Sequence, residues 1–195
     1  MLDAALEAFA DRGFEGTSAR EVARDLGVSH NLIPQRIGSK DELWRAAVDQ
    51  GFGRLLTALA TALDDVDDDA EDLDRLQAMV TRFIEANAAR PALLRVISRE
   101  AVAPGPRFDY LYDAYIDPVR AMGADLLDRL EAEGKVRPEA PVGLLDFFMT
   151  HGAGGSLAMP ALAERMGEGV DPADPVAVRR HAEATAALLF EGFRQ

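Results

Sequence analysis

Two helix caps and a glycine turn follow one another closely in one stretch of the sequence, residues 17–44, TSAREVARDLGVSHNLIPQRIGSKDELW. Ser18, with Glu21 three residues later, matches a capping box, in which each side chain binds the other residue's backbone N–H. The motif predicts a short helix over residues 19–26. Gly27 is expected to end this helix in a left-handed conformation.

A second capping box, formed by Ser39 and Glu42, predicts a long helix that starts at residue 40 and ends near residue 63. Between the two boxes, Ser29 is expected to cap a third helix over residues 30–37. Ahead of them, apolar residues at helical spacing predict a first helix that ends at Gly13. Short helices joined by a glycine turn, with another helix packed across them, indicate a helix-turn-helix module.

The predicted third helix has two different faces. Ile33 and Ile37 are one turn apart and are expected to form its buried edge. The opposite face would meet the major groove of DNA, where Asn and Gln pair with adenine and His contacts guanine. The alternative is an ordinary polar helix surface. This outward face consists of His30, Asn31, Pro34 and Gln35.

A proline inside this helix needs an explanation. If Ser29 is the cap, Pro34 is the fifth helical residue, where its ring meets the carbonyl of His30 and no hydrogen bond can form. Two arrangements would relieve the conflict. Either the helix starts with Pro34 as its first residue, or it starts earlier and bends.

Composition favours a cytoplasmic globular protein. The 195 residues are 48% hydrophobic and 28% charged, and they include no cysteine and only three histidines. Disulfides and thiolate metal sites are thereby excluded, and the scattered histidines predict no metal site and no cofactor. No apolar run reaches the roughly 18 residues that a membrane span needs.

The net charge of −13 argues against any binding to nucleic acid, because lysine and arginine drive the binding of phosphates. Residues 1–50 contribute only −3 of it, from six basic and nine acidic side chains. Much of the rest lies in DDVDDDAEDLD, residues 64–74. This run lacks the spacing of an EF-hand loop, so we interpret it as a solvated connection rather than a calcium site.

The sequence resembles the N-terminal domain of the TetR family of bacterial transcriptional regulators. Three elements carry the resemblance, in this order: ALEAFADRGFEGTS, REVARDLGVS and SKDELW. The resemblance covers about the first fifty residues. It implies an all-α, non-enzymatic homodimer, with a helix-turn-helix DNA-binding domain at residues 1–50 and an effector-binding and dimerisation domain at residues 51–195. It further implies a repressor that leaves its operator when a small molecule binds.

Carried over position by position, the resemblance makes Ser18, Arg20 and Lys40 phosphate contacts, although either cation alone would also fit a solvated charge. Two positions depart from the family. This sequence has Pro34 where the family usually has a tyrosine, and Ile37 where it usually has a phenylalanine. Many members also carry a basic arm ahead of the first helix, and this sequence begins within that helix. The expected DNA-binding set is Ser18, Arg20, Ser29, His30, Asn31, Pro34, Gln35, Arg36 and Lys40.

Beyond residue 50, prolines and glycines divide the chain into helices expected at residues 73–90, 92–102, 107–133, 141–166 and 175–193. Pro118 should kink or split the third of these and open space for a ligand. The resemblance implies that the last two pair with a second copy, the alternative being packing within one chain. The expected effector-binding residues, for each of which the alternative is a place in the core, are Phe83, Tyr112, Tyr115, Met122, Phe148 and His151.

Two other classes of function remain open. HGAGGSLA, residues 151–158, is similar to the serine loop of hydrolases, with Ser156, Asp171 and His181 in triad order. However, Ala158 replaces the final glycine, and the preceding residues show no strand pattern. A helical protein-binding adaptor is the other alternative.

Overall fold

The structure is a computed structural model, and it describes residues 1–67, 69–136, 143 and 147–193, without the side chains of the last two. All regular elements within these residues are helical, and they form two compact units. The first unit comprises residues 1–54 and 92–111, and the second comprises residues 55–91 and 112–195. None of the helices in the described ranges has the length and apolar character that crossing a membrane requires.

The first unit contains α1 (Leu2–Arg12), α2 (Ala19–Asp25), α3 (Leu32–Arg36), the first part of α4 (Lys40–Asp64), α6 (Ala92–Val102) and α7 (Pro106–Leu111). The predicted ends of α1, α2 and α4 are confirmed to within a residue. Gly13 ends α1 with φ +75°, and Gly27 follows α2 with φ +67°. The core is built from apolar side chains of several helices, among them Phe9, Val22, Ile33, Trp44 and Leu93.

The boundary predicted at residue 50 places α6 and α7 in the effector domain, whereas the structure packs them into the first unit. An amphipathic pattern shows that a helix buries one face, but it does not show against which partner. As a division of functions, the boundary stays a prediction.

The second unit contains the rest of α4, α5 (Asp72–Ala88), α8 (Asp117–Ala132), α9 (Gly155–Ala158), α10 (Pro160–Met166) and α11 (Pro175–Phe193). Two π-helical segments interrupt it, at Tyr112–Ile116 and Phe148–Ala153. The break expected at Pro118 is confirmed, because α8 starts at Asp117 directly after the first π segment. The helix expected over 141–166 is divided into the second π segment, α9 and α10, and residues 141, 142 and 144–146 lie outside the described ones.

Candidate functional site

The predicted base-reading side chains lie on α3 and on the turn before it. His30 and Asn31 precede the helix and Gln35 lies on it, and all three are exposed. Ile33 anchors the helix from the other side with none of its surface exposed, and Ile37 is half-buried. A short helix that is fixed by a single apolar side chain therefore presents polar groups to solvent.

The predicted cap of α3 is wrong. Asn31, not Ser29, is the N-cap residue, and no side chain caps the helix. The hydroxyl of Ser29 instead accepts a hydrogen bond from the backbone N–H of Asn31 at 3.4 Å. The helix therefore starts at Leu32, two residues later than expected, because residues 30 and 31 form a turn.

This start explains Pro34, which is the third residue of α3. The first α-helical hydrogen bond of α3 runs from the N–H of Gln35 to the carbonyl of Asn31, four residues earlier, at 3.0 Å. N–H groups of a first helical turn have no partner inside the helix, so proline removes no bond there. The first predicted arrangement is wrong, because the helix does not begin at Pro34. The helix does begin earlier, at Leu32, and a bend away from its buried edge stays a prediction.

The start of α2 is held by the predicted capping box. The hydroxyl of Ser18 accepts from the backbone N–H of Glu21 at 3.2 Å, and the backbone N–H of Ser18 donates to the Glu21 carboxylate at 3.0 Å. The Ser18 hydroxyl also donates to that carboxylate at 2.8 Å. This side-chain bond, followed by the backbone bond, lowers the pKa of Glu21. Because its proton is already engaged, the Ser18 hydroxyl can contact a phosphate only if this bond is given up.

Of the predicted phosphate-binding cations, Arg20 is exposed at the second position of α2, and Arg36 is exposed at the end of α3. Lys40 is half-buried instead. Its ammonium lies 4.3 Å from the ring centre of Phe14 and donates to the carbonyl of Glu15 at 3.4 Å. An ammonium has three donors, so Lys40 can hold this turn and still reach a phosphate.

The six predicted effector-binding residues do not share one of the two cavities described in the second unit. Phe148 lines a cavity of about 580 Å³ between the second π segment, α9 and α11. His151 lines a smaller neighbouring cavity of about 290 Å³. The others line neither of the two: Phe83 is buried in α5, Tyr115 and Met122 are half-buried, and the hydroxyl of Tyr112 accepts from Arg120 at 2.8 Å.

The larger cavity has mostly apolar walls and a polar corner. At this corner, His181 Nε2 lies 3.1 Å from Ser156 Oγ and 3.2 Å from the carbonyl oxygen of Ala153. Glu168 and, further along α11, Thr185, Leu188 and Leu189 also line the cavity. The helical spacing of these α11 residues is visible in the sequence, but nothing in the pattern indicates a cavity wall.

The structure brings together two of the three residues of the suggested hydrolase triad. Asp171, the third, lies in an exposed loop, where its carboxylate accepts from the N–H of Ala173 at 2.9 Å. Ser156 lies in a short helix that follows a π-helical segment, not after a strand. The pair therefore lacks both the acid and the sharp strand-to-helix turn of that class. Across the described ranges, no three acidic or histidine side chains are close enough to hold a metal ion.

A group of large apolar side chains is exposed on the second π segment, the residue before it, α10 and α11. Each of them has at least half of its surface exposed in the single chain. Other apolar side chains of α11, such as Val178 and Ala182, are buried within the chain, as the alternative interpretation of this helix required. We call the exposed group the apolar face: Phe147, Phe148, Met159, Leu162, Met166, Val176 and Leu188.

The comparisons with known proteins identify the family of the N-terminal helices. The family model of bacterial regulatory proteins, tetR family, matches residues 1–47. The HTH-type transcriptional repressor KstR2 of Mycobacterium tuberculosis is 32% identical over 155 residues, which are 76% of this chain and 74% of the relative. The chain belongs to the TetR family.

The TetR fold extends over the whole chain. The solved structure of the ketosteroid transcriptional regulator KstR2 of M. tuberculosis superposes with a TM-score of 0.76 at 24% identity, over 100% of this chain and 93% of that one. The HTH-type transcriptional activator FasR of Mycolicibacterium smegmatis is 33% identical over 85 residues, 44% of this chain and 37% of its own. This TetR-family chain is thus an HTH-type transcriptional regulator, similar over most of its length to a repressor.

Proposed function

We propose that this regulator represses transcription by binding a DNA operator as a homodimer, and that it leaves the operator when an apolar small molecule binds. The observation that carries the DNA-binding part is the exposed polar face of α3, with His30, Asn31 and Gln35 around a single buried anchor, Ile33. Amide side chains read bases, whereas Arg20, Arg36 and Lys40 contact phosphates. The regulator binds its operator in the cytoplasm, where a bacterial chromosome lies.

The operator is found by letting the wild-type protein select duplexes from a random-sequence pool. We expect an enriched, pseudo-palindromic site, because each copy of a symmetric dimer reads one half-site. A reporter placed behind that site then separates repression from activation, since FasR is an activator. A protein that enriches no sequence would favour the adaptor hypothesis.

We assign the interface of the proposed homodimer to the apolar face, against which the second copy packs. Seven large apolar side chains, each more than half exposed, are unusual for a chain that acts alone. Replacing Phe147 or Val176 with Asp should give a monomer in sedimentation, and neither residue lines either cavity. Val102→Asp is the matched control, because Val102 is 86% exposed but belongs to the first unit. A dimer that survives both changes in the second unit would rule this interface out.

We assign the effector to the cavity that Phe148, Ser156 and His181 line. Its volume of about 580 Å³ is that of a ligand pocket, and mostly apolar walls with a few polar side chains suit a largely apolar molecule that carries an oxygen. The likeness to KstR2, named for ketosteroids, supports a ketosteroid as the first compound to test. Because an effector must bind the two states of the protein unequally, it should raise the dissociation constant for the operator.

Two histidine variants distinguish the cavities. His181→Leu removes the polar corner of the larger cavity, and His151→Leu changes only the smaller one. With androstenedione as the probe, we expect the first variant to lose effector-induced release and the second to keep it. The reverse result would move the effector to the smaller cavity. No release from wild type by this compound would exclude ketosteroids of this type.

A further inference from the structure

The C-terminal end of α1 is closed by a side chain from a distant helix. The last carbonyls of a helix lack partners within it and need other donors. The carbonyl of Phe9 receives the N–H of Gly13 at 2.9 Å, as in many helices. The next two carbonyls, of Ala10 and Asp11, receive Nε and Nη2 of Arg99 at 3.2 and 2.8 Å.

Arg99 reaches this position from α6, nearly ninety residues along the chain. A Cβ atom at Gly13 would lie 3.2 Å from both Cδ and Nη1 of Arg99, which is tighter than usual van der Waals contact. Gly13 thus allows the positive φ that ends α1 and leaves room for the guanidinium. The positive charge also suits the negative end of the helix dipole.

A second side chain ties the same helix end to the start of α2. Thr17 is 2% exposed, and its hydroxyl lies 2.7 Å from the carbonyl oxygen of Gly13 and 3.0 Å from that of Ala8. The residue after it is Ser18, the cap of α2. A continuous set of contacts therefore leads from Arg99 through the end of α1 and Thr17 to the first turn of α2.

We propose that Arg99 is a positioning residue for DNA recognition, and this inference rests on the proposed function. By fixing the end of α1, it fixes the turn at residues 13–17 and so places the first turn of α2, with Arg20, at the phosphates. Arg99 itself touches no DNA in this scheme. Its effect is carried by backbone carbonyls, so the planar two-donor guanidinium matters and not the charge alone.

The test compares Arg99→Met and Arg99→Lys with Arg54→Met. Arg54 also binds α1, through Asp3 at 3.2 Å, but at the other end of the helix, and the control removes the same charge. The DNA is the duplex that wild type selects from the random pool, with a scrambled duplex of equal length beside it. We expect Arg99→Met to raise the dissociation constant for the selected duplex about tenfold, with Arg99→Lys between it and wild type and Arg54→Met unchanged.

Hydrogen exchange provides a second readout that does not depend on DNA. In Arg99→Met, the amides of residues 14–20 should exchange faster than in wild type, whereas Arg54→Met should leave them unchanged. If wild type binds the selected duplex but the two methionine variants have equal dissociation constants, the proposal is overturned. If Arg99→Met does not fold, wild-type affinity in Arg99→Lys overturns it. A wild type that selects no duplex removes the proposed function, and this inference with it.

Discussion

The two units leave different kinds of surface exposed. The first presents polar and cationic side chains on short regular helices, such as Asn31, Gln35 and Arg36. The second presents the apolar face and an open cavity, and π-helical segments interrupt its helices. A polyanion is bound by donors and charges, whereas a second copy or an apolar ligand is bound by apolar area. The exposed chemistry of each unit therefore matches a different kind of partner.

The regularity of the helices differs in the same way. In the first unit, the two helices that flank α3, which are α2 and α4, start at capping boxes, so local bonds define both neighbours of the reading surface. In the second unit, the π segment Phe148–Ala153 has a wider turn than an α-helix, and its residues Phe148, Gly152 and Ala153 line the larger cavity. Rigid, locally specified structure thus supports the DNA reader, and irregular structure borders the proposed effector site.

The largest effect is expected from the anchor of α3. Ile33→Ala should lower the free energy of unfolding by about 2–5 kcal/mol, because a fully buried branched side chain leaves a cavity. Chemical denaturation measures it. Val102→Ala, at an 86% exposed position of the same unit, should change stability by less than about 0.5 kcal/mol. Similar values for the two would mean that α3 is not held by its buried side.

The next effect concerns base reading. Asn31→Ala should cost about 1–3 kcal/mol of operator binding and relax the preference at one base pair, because an amide pairs with adenine through two bonds. Binding to a set of single-base operator variants measures both. Gln77→Ala, on an exposed part of α5, is the control. If Asn31→Ala weakens binding equally at every sequence, Asn31 is a backbone contact.

A smaller effect distinguishes the two serines that flank α3. Ser39→Ala removes the side chain that accepts from the N–H of Glu42 at 3.2 Å, and it should lower the free energy of unfolding by about 1 kcal/mol. Ser29→Ala should leave that energy nearly unchanged, because Ser29 caps no helix. A large loss at Ser29 would restore the cap predicted from the sequence.

The capping boxes also predict an acid dependence. The pKa of Glu42 is lowered by the backbone N–H of Ser39, and that of Glu21 by the Ser18 hydroxyl. Their contribution to stability is therefore full above the unfolded value of 4.5 and is lost as the pH falls through the lower folded values. Between about pH 5 and pH 3, wild type should lose more stability than Glu21→Gln/Glu42→Gln. Parallel curves would contradict this.

The smallest effect is expected at Pro34. Pro34→Ala restores an N–H in the first turn of α3, where it has no partner inside the helix. The free energy of unfolding should therefore change by less than about 0.5 kcal/mol. The same measurement on Gln35→Pro gives the contrast, because that N–H donates to Asn31 and its loss should be costly. A marked gain from Pro34→Ala would show that the proline strains α3.

The sequence predicted what depends on neighbours three or four residues apart. The caps at Ser18 and Ser39 and the glycine ends of α1 and α2 belong to this class, and so does the family, whose motifs are local. Contacts between distant residues leave no such pattern. The pair Ser156 and His181 is 25 residues apart, and Arg99 reaches α1 across nearly ninety. Whether the predicted site residues bind DNA or an effector stays a prediction.

The discontinuity of the first unit has a consequence for exchanging modules between regulators. A chimera joined near residue 50 would carry α1 without α6, and it would lose the bonds of Arg99 together with the 2.6 Å ion pair between Arg95 and Glu7. The transplanted DNA-binding helices would then pack against a foreign helix that lacks Arg99. The last carbonyls of α1 would have no donors. A working transplant has to include residues 92–111 as well, so that specificity is exchanged as two separate segments of sequence.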